Sequence, residues 1–319
     1  MNYPLRFEPI FRQYLWGGRR LGSMLGKPIG PEHDYAESWE LVDHGTDQSI
    51  VLWGSVAGLS LSELVTHHGP ALLGRHATHR QFPLLFKFLD CNRTLSVQVH
   101  PDDQQAALLD PPDLGKTEAW VVLAADPGSK IYAGLKPEVT REDLRAAIDA
   151  GTCDTCLHEF EPTVGDCVFI QAGTVHALGA GLVIAEIQQA SDTTFRLFDW
   201  NRVDQHGRPR QLHIAQSLDV TDFARGPVAP QRPTALAGRE QLVECDKFVL
   251  ERRTLDTVQT VGGDDRCHFL VPLSGAITLS GDPCREPLNL GTTCLVPAAA
   301  GEVEIRPLDA SVLLDIYLP

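Results

Sequence analysis

No run of apolar residues in this 319-residue chain approaches the roughly 18 that a membrane-crossing helix needs, so a helical span is excluded. Basic residues are scarce. Against 42 Asp and Glu stand 27 Lys and Arg, a formal net charge of −15. A surface that acidic repels phosphate backbones and anionic lipid, which argues against nucleic acid and membrane as partners. It leaves room for a local basic pocket that takes a phosphorylated metabolite. The N-terminus, Met1-Asn2-Tyr3-Pro4-Leu5-Arg6, lacks the apolar core and small-residue cleavage site of a signal peptide, so a cytoplasmic protein is expected. A repeated CxxC zinc signature is absent. The eight cysteines, Cys91, Cys153, Cys156, Cys167, Cys245, Cys267, Cys284 and Cys294, are scattered, unlike those of a small secreted disulfide scaffold. The pair Cys153-Asp154-Thr155-Cys156 cannot close a zinc site alone, and no βαβ pattern frames it as a redox motif.

What is present is an ordinary globular composition, 43% apolar and 22% charged, in a chain long enough for two cored domains. Glycine (27) and proline (22) are dense and separate short apolar runs at 95–99, 119–123, 167–170, 182–187 and 312–317. Short strands between turn signals predict a sandwich or barrel. A few helices interrupt them. Ser60 or Ser62 caps one that runs to about Leu73 and stops at Gly74. Pro101-Asp102-Asp103 opens a short one over 104–109. Thr140 opens a third, whose Leu144, Ala147 and Ile148 share a face and which Gly151 ends. A fourth is expected over 209–218. Pro227, Pro230 and Pro233 with Gly226 mark a linker. The expected division is therefore 1–225, a linker at 226–233, and a strand-rich domain at 234–319.

Three segments carry chemistry: Ser96-Val97-Gln98-Val99-His100-Pro101, Gly115-Lys116-Thr117-Glu118 and Gly173-Thr174-Val175-His176. In a strand, side chains two apart share a face, so Gln98 aligns with His100 and Lys116 with Glu118. One amide, two imidazoles and one carboxylate suit a divalent metal of modest softness, zinc first. Any one of these residues alone is ordinarily a surface or core side chain. The segments reinforce one another only where the fold brings them together, which spacing does not show. The C-terminal segments Cys267-His268-Phe269 and 291–297 echo these half-motifs with the ligand positions unfilled, so that domain is expected to be metal-free.

Longer stretches resemble the type I phosphomannose isomerases, in their shorter bacterial form. They are 82–87, 95–103, 115–120, Gly165-Asp166 with 172–179, and 186–196, together with Trp16-Gly17-Gly18 and Glu37-Ser38-Trp39-Glu40. The resemblance is strongest from Phe82 to Trp200 and weak after Thr234. It departs from the family at Gln171, where proline is commoner, and lacks the large helical domain of eukaryotic relatives.

The resemblance implies a mainly β fold of two cupin-like jelly-roll barrels, with a few short helices inserted in the first. It implies one zinc per chain, held by Gln98, His100, Glu118 and His176. It implies an aldose–ketose isomerisation of mannose 6-phosphate and fructose 6-phosphate through an enediol or enediolate. The matching catalytic positions are Arg196, Lys116, Glu186 and Asp192, and no single general base is assigned among them. Arg196 is a fixed cation for charge developing on the sugar oxygens; its structural alternative is a salt bridge with Asp192. Lys116, on the strand face of Glu118, could hydrogen-bond a sugar hydroxyl or shuttle a proton. Ser96, Lys87 and Arg202 match phosphate-binding positions. The expected partner is a hexose 6-phosphate, and the chain a monomer or homodimer. A non-catalytic sugar-phosphate-binding cupin and a different metal-dependent cupin enzyme are the alternatives.

Overall fold

The computed structural model describes residues 1–203 and 206–319. Strands dominate, and the helices are few and short, as the density of turn residues predicts. The chain groups into two compact units, each built from separated stretches: residues 13–18 with 89–231, and residues 1–12, 19–88 and 232–319 together. The later boundary falls between residues 231 and 232. The earlier grouping cuts across the expected 1–225 segment, because most of residues 1–88 packs with the C-terminal strands. Leu5 and Leu295 exchange both backbone hydrogen bonds, at 2.7 and 2.8 Å. Arg6 forms an ion pair with Asp282 at 2.5 Å, and the Phe86 ring lies 5.2 Å from that of Phe269. Pairings this distant in sequence leave no local signal.

In the unit of residues 13–18 and 89–231, one sheet runs in the order Phe195–Phe198, Val97–Val99, His176–Leu178, Ile131–Leu135, Leu157–Phe160. Val97, Val99, Ala177 and Leu197 are buried with Leu144 and Ile148 of the helix Arg141–Asp149 and Leu218 of the helix Ile214–Val220. Helices thus cover the apolar face of this sheet. Alternation then turns Gln98, His176 and Arg196 to the opposite face. The pairing register puts them in one row, Gln98 opposite His176 on one side and Arg196 on the other.

Three more strands of this unit, Leu182–Gln189, Glu118–Ala125 and Cys167–Ile170, lie side by side and antiparallel. Glu118 is opposite Gln188, and Trp120 opposite Glu186, so all four project to one side. The Trp120 ring meets the His176 ring edge-on at 5.3 Å. The two polar faces therefore look at each other.

Three of the four expected helix starts follow the sequence closely. Ser60 caps Leu61–Leu73 with Glu63 completing a capping box, and Gly74 ends it. Thr140 and Asp143 do the same for Arg141–Asp149. Two helices are shorter than expected. Asp102 caps a helix over Asp103–Ala106 alone, because the Ala106 carbonyl also takes a hydrogen bond from Asp113 N–H (3.1 Å) as the chain turns back. The expected 209–218 helix spans Ile214–Val220, because His213 N–H is bonded to the Arg196 carbonyl at 2.8 Å.

In the other unit a six-stranded sheet, Thr234–Leu236, Arg239–Glu244, Val249–Leu255, Ser311–Tyr317, His268–Ser274, Cys294–Val296, packs with a four-stranded one, Gln259–Gly262, Glu302–Pro307, Ala276–Leu279, Leu288–Asn289. Leu255, Leu270 and Leu313 from the first meet Val261, Ile277, Val303 and Ile305 from the second. The same strand faces carry a buried charged group. His268 Nδ1 is 2.8 Å from Asp315 and its Nε2 3.1 Å from Asp264. Arg253 reaches Asp315 at 2.6 Å, and Tyr317 donates to Glu251 at 2.9 Å. Burial alone would push the His268 imidazole down; Asp315 and Asp264 outweigh it and raise its pKa to about 9.

Candidate metal centre

Glu118 begins its strand, His176 begins another, and His100 follows the Val97–Val99 strand by one residue. All three are buried, and one donor atom from each lies within 4.8 Å of the others. Glu118 carboxylate oxygens are 3.7 Å from His100 Nε2 and 3.3 Å from His176 Nε2.

Main-chain carbonyls set the histidine tautomers. His100 Nδ1 bonds to Thr193 O at 3.0 Å, and His176 Nδ1 to Thr174 O at 2.9 Å. A carbonyl only accepts, so each Nδ1 carries the proton and each Nε2 presents its lone pair towards Glu118. Burial holds the His176 imidazole down to about 4, so it is neutral at ordinary pH.

Three lone-pair donors converging where all three residues are buried repel one another, and a divalent cation reverses that repulsion. Two donors about 2.0–2.1 Å from one tetrahedral ion stand about 3.3 Å apart, the spacing seen between Glu118 and His176. The donor set therefore fits a metal. Gln98 is the fourth candidate. Its Nε2 donates to Ser96 Oγ at 3.1 Å, which leaves the amide oxygen as the donor a cation would use.

The remaining expected residues fall into distinct groups. Lys116 is buried, with Nζ 3.5 Å from a Glu118 oxygen. Glu186 is buried on the face shared with Glu118. Arg196 Nε donates to Ser96 Oγ at 3.0 Å, and its Nη1 to the Gln211 carbonyl at 3.1 Å. Among the described residues, Arg196 makes no ion pair with Asp192. Asp192 is exposed in the turn between Ser191 and Thr193. Arg202 is committed on three sides, to Thr94 O at 2.6 Å, to Asp199 O at 3.2 Å and to the Asp199 carboxylate. Lys87 belongs to the other unit, where it is buried 3.7 Å from Glu37 and over the Trp39 ring.

Sequence reasoning missed the support behind these groups. His213 Nδ1 accepts from the Arg196 backbone N–H at 3.2 Å, and Asp199 holds Arg202 with Arg210 nearby at 3.9 Å. A histidine just ahead of a helix carries no signal that separates this role from any other.

Known proteins decide the family. A sequence profile for the catalytic domain of phosphomannose isomerase type I matches residues 5–140. A mannose-6-phosphate isomerase of Bacillus subtilis (strain 168) is 33% identical over 95% of this chain and 96% of its own. The chain belongs to the type I phosphomannose isomerase family. A family member of Streptococcus mutans is 40% identical over 76% of this chain and 75% of its own. The crystal structure of the Bacillus subtilis mannose 6-phosphate isomerase superposes with a TM-score of 0.89 at 27% identity, covering 98% of this chain and 99% of that one. The fold is the mainly β, cupin-type fold of phosphomannose isomerases, whose reaction is an aldose–ketose isomerisation. The profile ends before His176 and Arg196; the full-length relatives extend across both.

Proposed function

We propose that this chain interconverts mannose 6-phosphate and fructose 6-phosphate, using one zinc ion held by Gln98, His100, Glu118 and His176. The observation that carries this reading is the convergence of two tautomer-locked imidazoles on the Glu118 carboxylate, with Lys116 against the same carboxylate. Bound there, zinc supplies a Lewis acid that favours negative charge on a sugar oxygen.

The chain's own groups supply the rest. Lys116 Nζ, held by Glu118, is placed to give a proton to a sugar oxygen and take it back. Arg196 is fixed through Nε and Nη1, which leaves Nη2 to donate to an oxygen as it becomes negative. Glu186, buried on the Glu118 face, is the carboxylate best placed to move a proton between C1 and C2. Asp192, exposed and without an ion pair to Lys116 or Arg196 among the described residues, has less support for that role. Ser96, gripped by Arg196 and Gln98, joins any phosphate contact to the donor row. Arg202 is better fitted to bracing this region through Asp199 and Thr94 than to meeting phosphate directly. Acidic charge and eight unbridged cysteines support action in the cytoplasm.

A coupled assay with mannose 6-phosphate tests the reading. Turnover should vanish with a strong chelator and return with stoichiometric zinc. No conversion by folded, zinc-loaded protein would reject it.

A further inference from the structure

We propose that Asp113, in the loop 107–117, is a positioning residue for the metal centre. It fixes the turn 189–193 so that the Thr193 carbonyl holds His100 in its ligating tautomer. The inference rests on reading His100, Glu118 and His176 as metal donors.

The Thr193 carbonyl sets the proton on His100, yet no strand ladder holds it. The strand Leu182–Gln189 has ended, and Phe195–Phe198 has not begun. Side chains fix the turn instead. Asp113 Oδ2 accepts from Ser191 Oγ at 2.8 Å and from Thr193 Oγ1 at 2.6 Å. Ser191 Oγ in turn accepts from Thr193 N–H at 3.2 Å. One carboxylate oxygen thus gathers both hydroxyls of the turn, through bonds strengthened by its charge.

Asp113 is itself anchored. Its Oδ1 accepts from Leu114 N–H at 2.8 Å, and its own N–H is bonded to Ala106 O at 3.1 Å. A parallel tie repeats the device nearby. Asp103 Oδ1 accepts from Gly115 N–H at 2.9 Å and Gln189 Nε2 at 2.8 Å. Gln189 Oε1 takes Thr117 N–H at 3.0 Å, between Lys116 and Glu118. The loop therefore binds the turn at two points. The Asp113 point leads to His100, and the Asp103 point to Glu118.

Removing the Asp113 carboxylate strands a fully buried Ser191 hydroxyl and releases the Thr193 carbonyl. Loss of such outer support typically weakens metal binding about 10- to 100-fold.

The test titrates the metal-stripped full chain with zinc against a chromophoric competitor. Asp113→Ala should bind zinc about 10- to 100-fold more weakly than wild type. In the metal-free variant, imidazole ¹⁵N shifts should show His100 no longer held with its proton on Nδ1. The double variant Ser191→Ala, Thr193→Val keeps Asp113 and removes its two donors. It should reproduce the loss, and it stands in if Asp113→Ala does not fold. Wild-type affinity in both folded variants, or an unchanged His100 tautomer, overturns the role of Asp113. A wild-type protein that binds no stoichiometric zinc overturns the metal reading itself, and this inference with it.

Discussion

Ser96 Oγ accepts from both Gln98 and Arg196, so a candidate donor and a candidate catalytic cation share one buried anchor. The two can still be separated by substitution. Arg196→Ala should lower kcat by about 10²- to 10³-fold, the usual cost of losing one donor to a developing oxyanion. Zinc content by elemental analysis should stay near wild type, because Arg196 contributes no donor to the centre. His100→Ala should remove both activity and stoichiometric zinc. Full activity in Arg196→Ala would sink the catalytic assignment while leaving the family intact. At this scale the sequence was informative where chemistry is rare. Gln98, His100, Glu118 and His176 stand out because few other uses need that set. Asp113, Asp199 and His213 do not, because an aspartate in a loop or a histidine before a helix has many ordinary uses. Arg202 matches a phosphate-binding position by resemblance, and nothing in its sequence neighbourhood shows its bonds to Asp199 and Thr94.

Among the elements, the helix Arg141–Asp149 has the clearest structural duty. It lays Leu144 and Ile148 on the back of the strands whose front carries Gln98, His176 and Arg196. Leu144 is fully buried. Leu144→Ala should cost about 2–5 kcal/mol of stability, read as a lowered denaturant midpoint. Folded variant should keep the zinc affinity of wild type, because the candidate donors sit on the opposite face. Element starts were legible because capping chemistry is local: Ser60 with Glu63, Asp102 with Gln105 and Thr140 with Asp143 all form capping boxes. Ends were less so. The chain leaves the helix after Ala106 and delays the one before Ile214 because Asp113 and Arg196 claim backbone groups from outside those segments.

Across the whole molecule, the charged interior of the C-terminal sheets governs how stability responds to pH. His268 has a folded pKa of about 9, above its usual 6.5. Its contribution is therefore complete below about pH 6.5 and is lost as pH rises through about 9. Asp264, lowered to about 2 by its bond to His268, contributes above about pH 4 and loses this as pH falls towards 2. Denaturant midpoints should hold level between roughly pH 4 and 6.5 and decline towards pH 9. In His268→Gln the alkaline decline should flatten; an unchanged slope would show that other groups set it. Overall architecture was legible as mainly β because turn residues punctuate the chain throughout. The grouping of residues 1–12 and 19–88 with the C-terminal strands was not, because Leu5–Leu295 and Arg6–Asp282 join opposite ends of the sequence.

The row Arg196–Gln98–His176 depends on a side-chain period of two. A slip of one residue in the Val97–Val99 strand would carry Gln98 to the helix-covered back of the sheet and bring valine forward. A misaligned chain could hide its oily residues tolerably and still offer no seat for a cation. On the proposed zinc reading, metal uptake during refolding should thus act as an inspector of strand alignment, admitting only molecules threaded correctly and leaving the mispaired ones empty-handed.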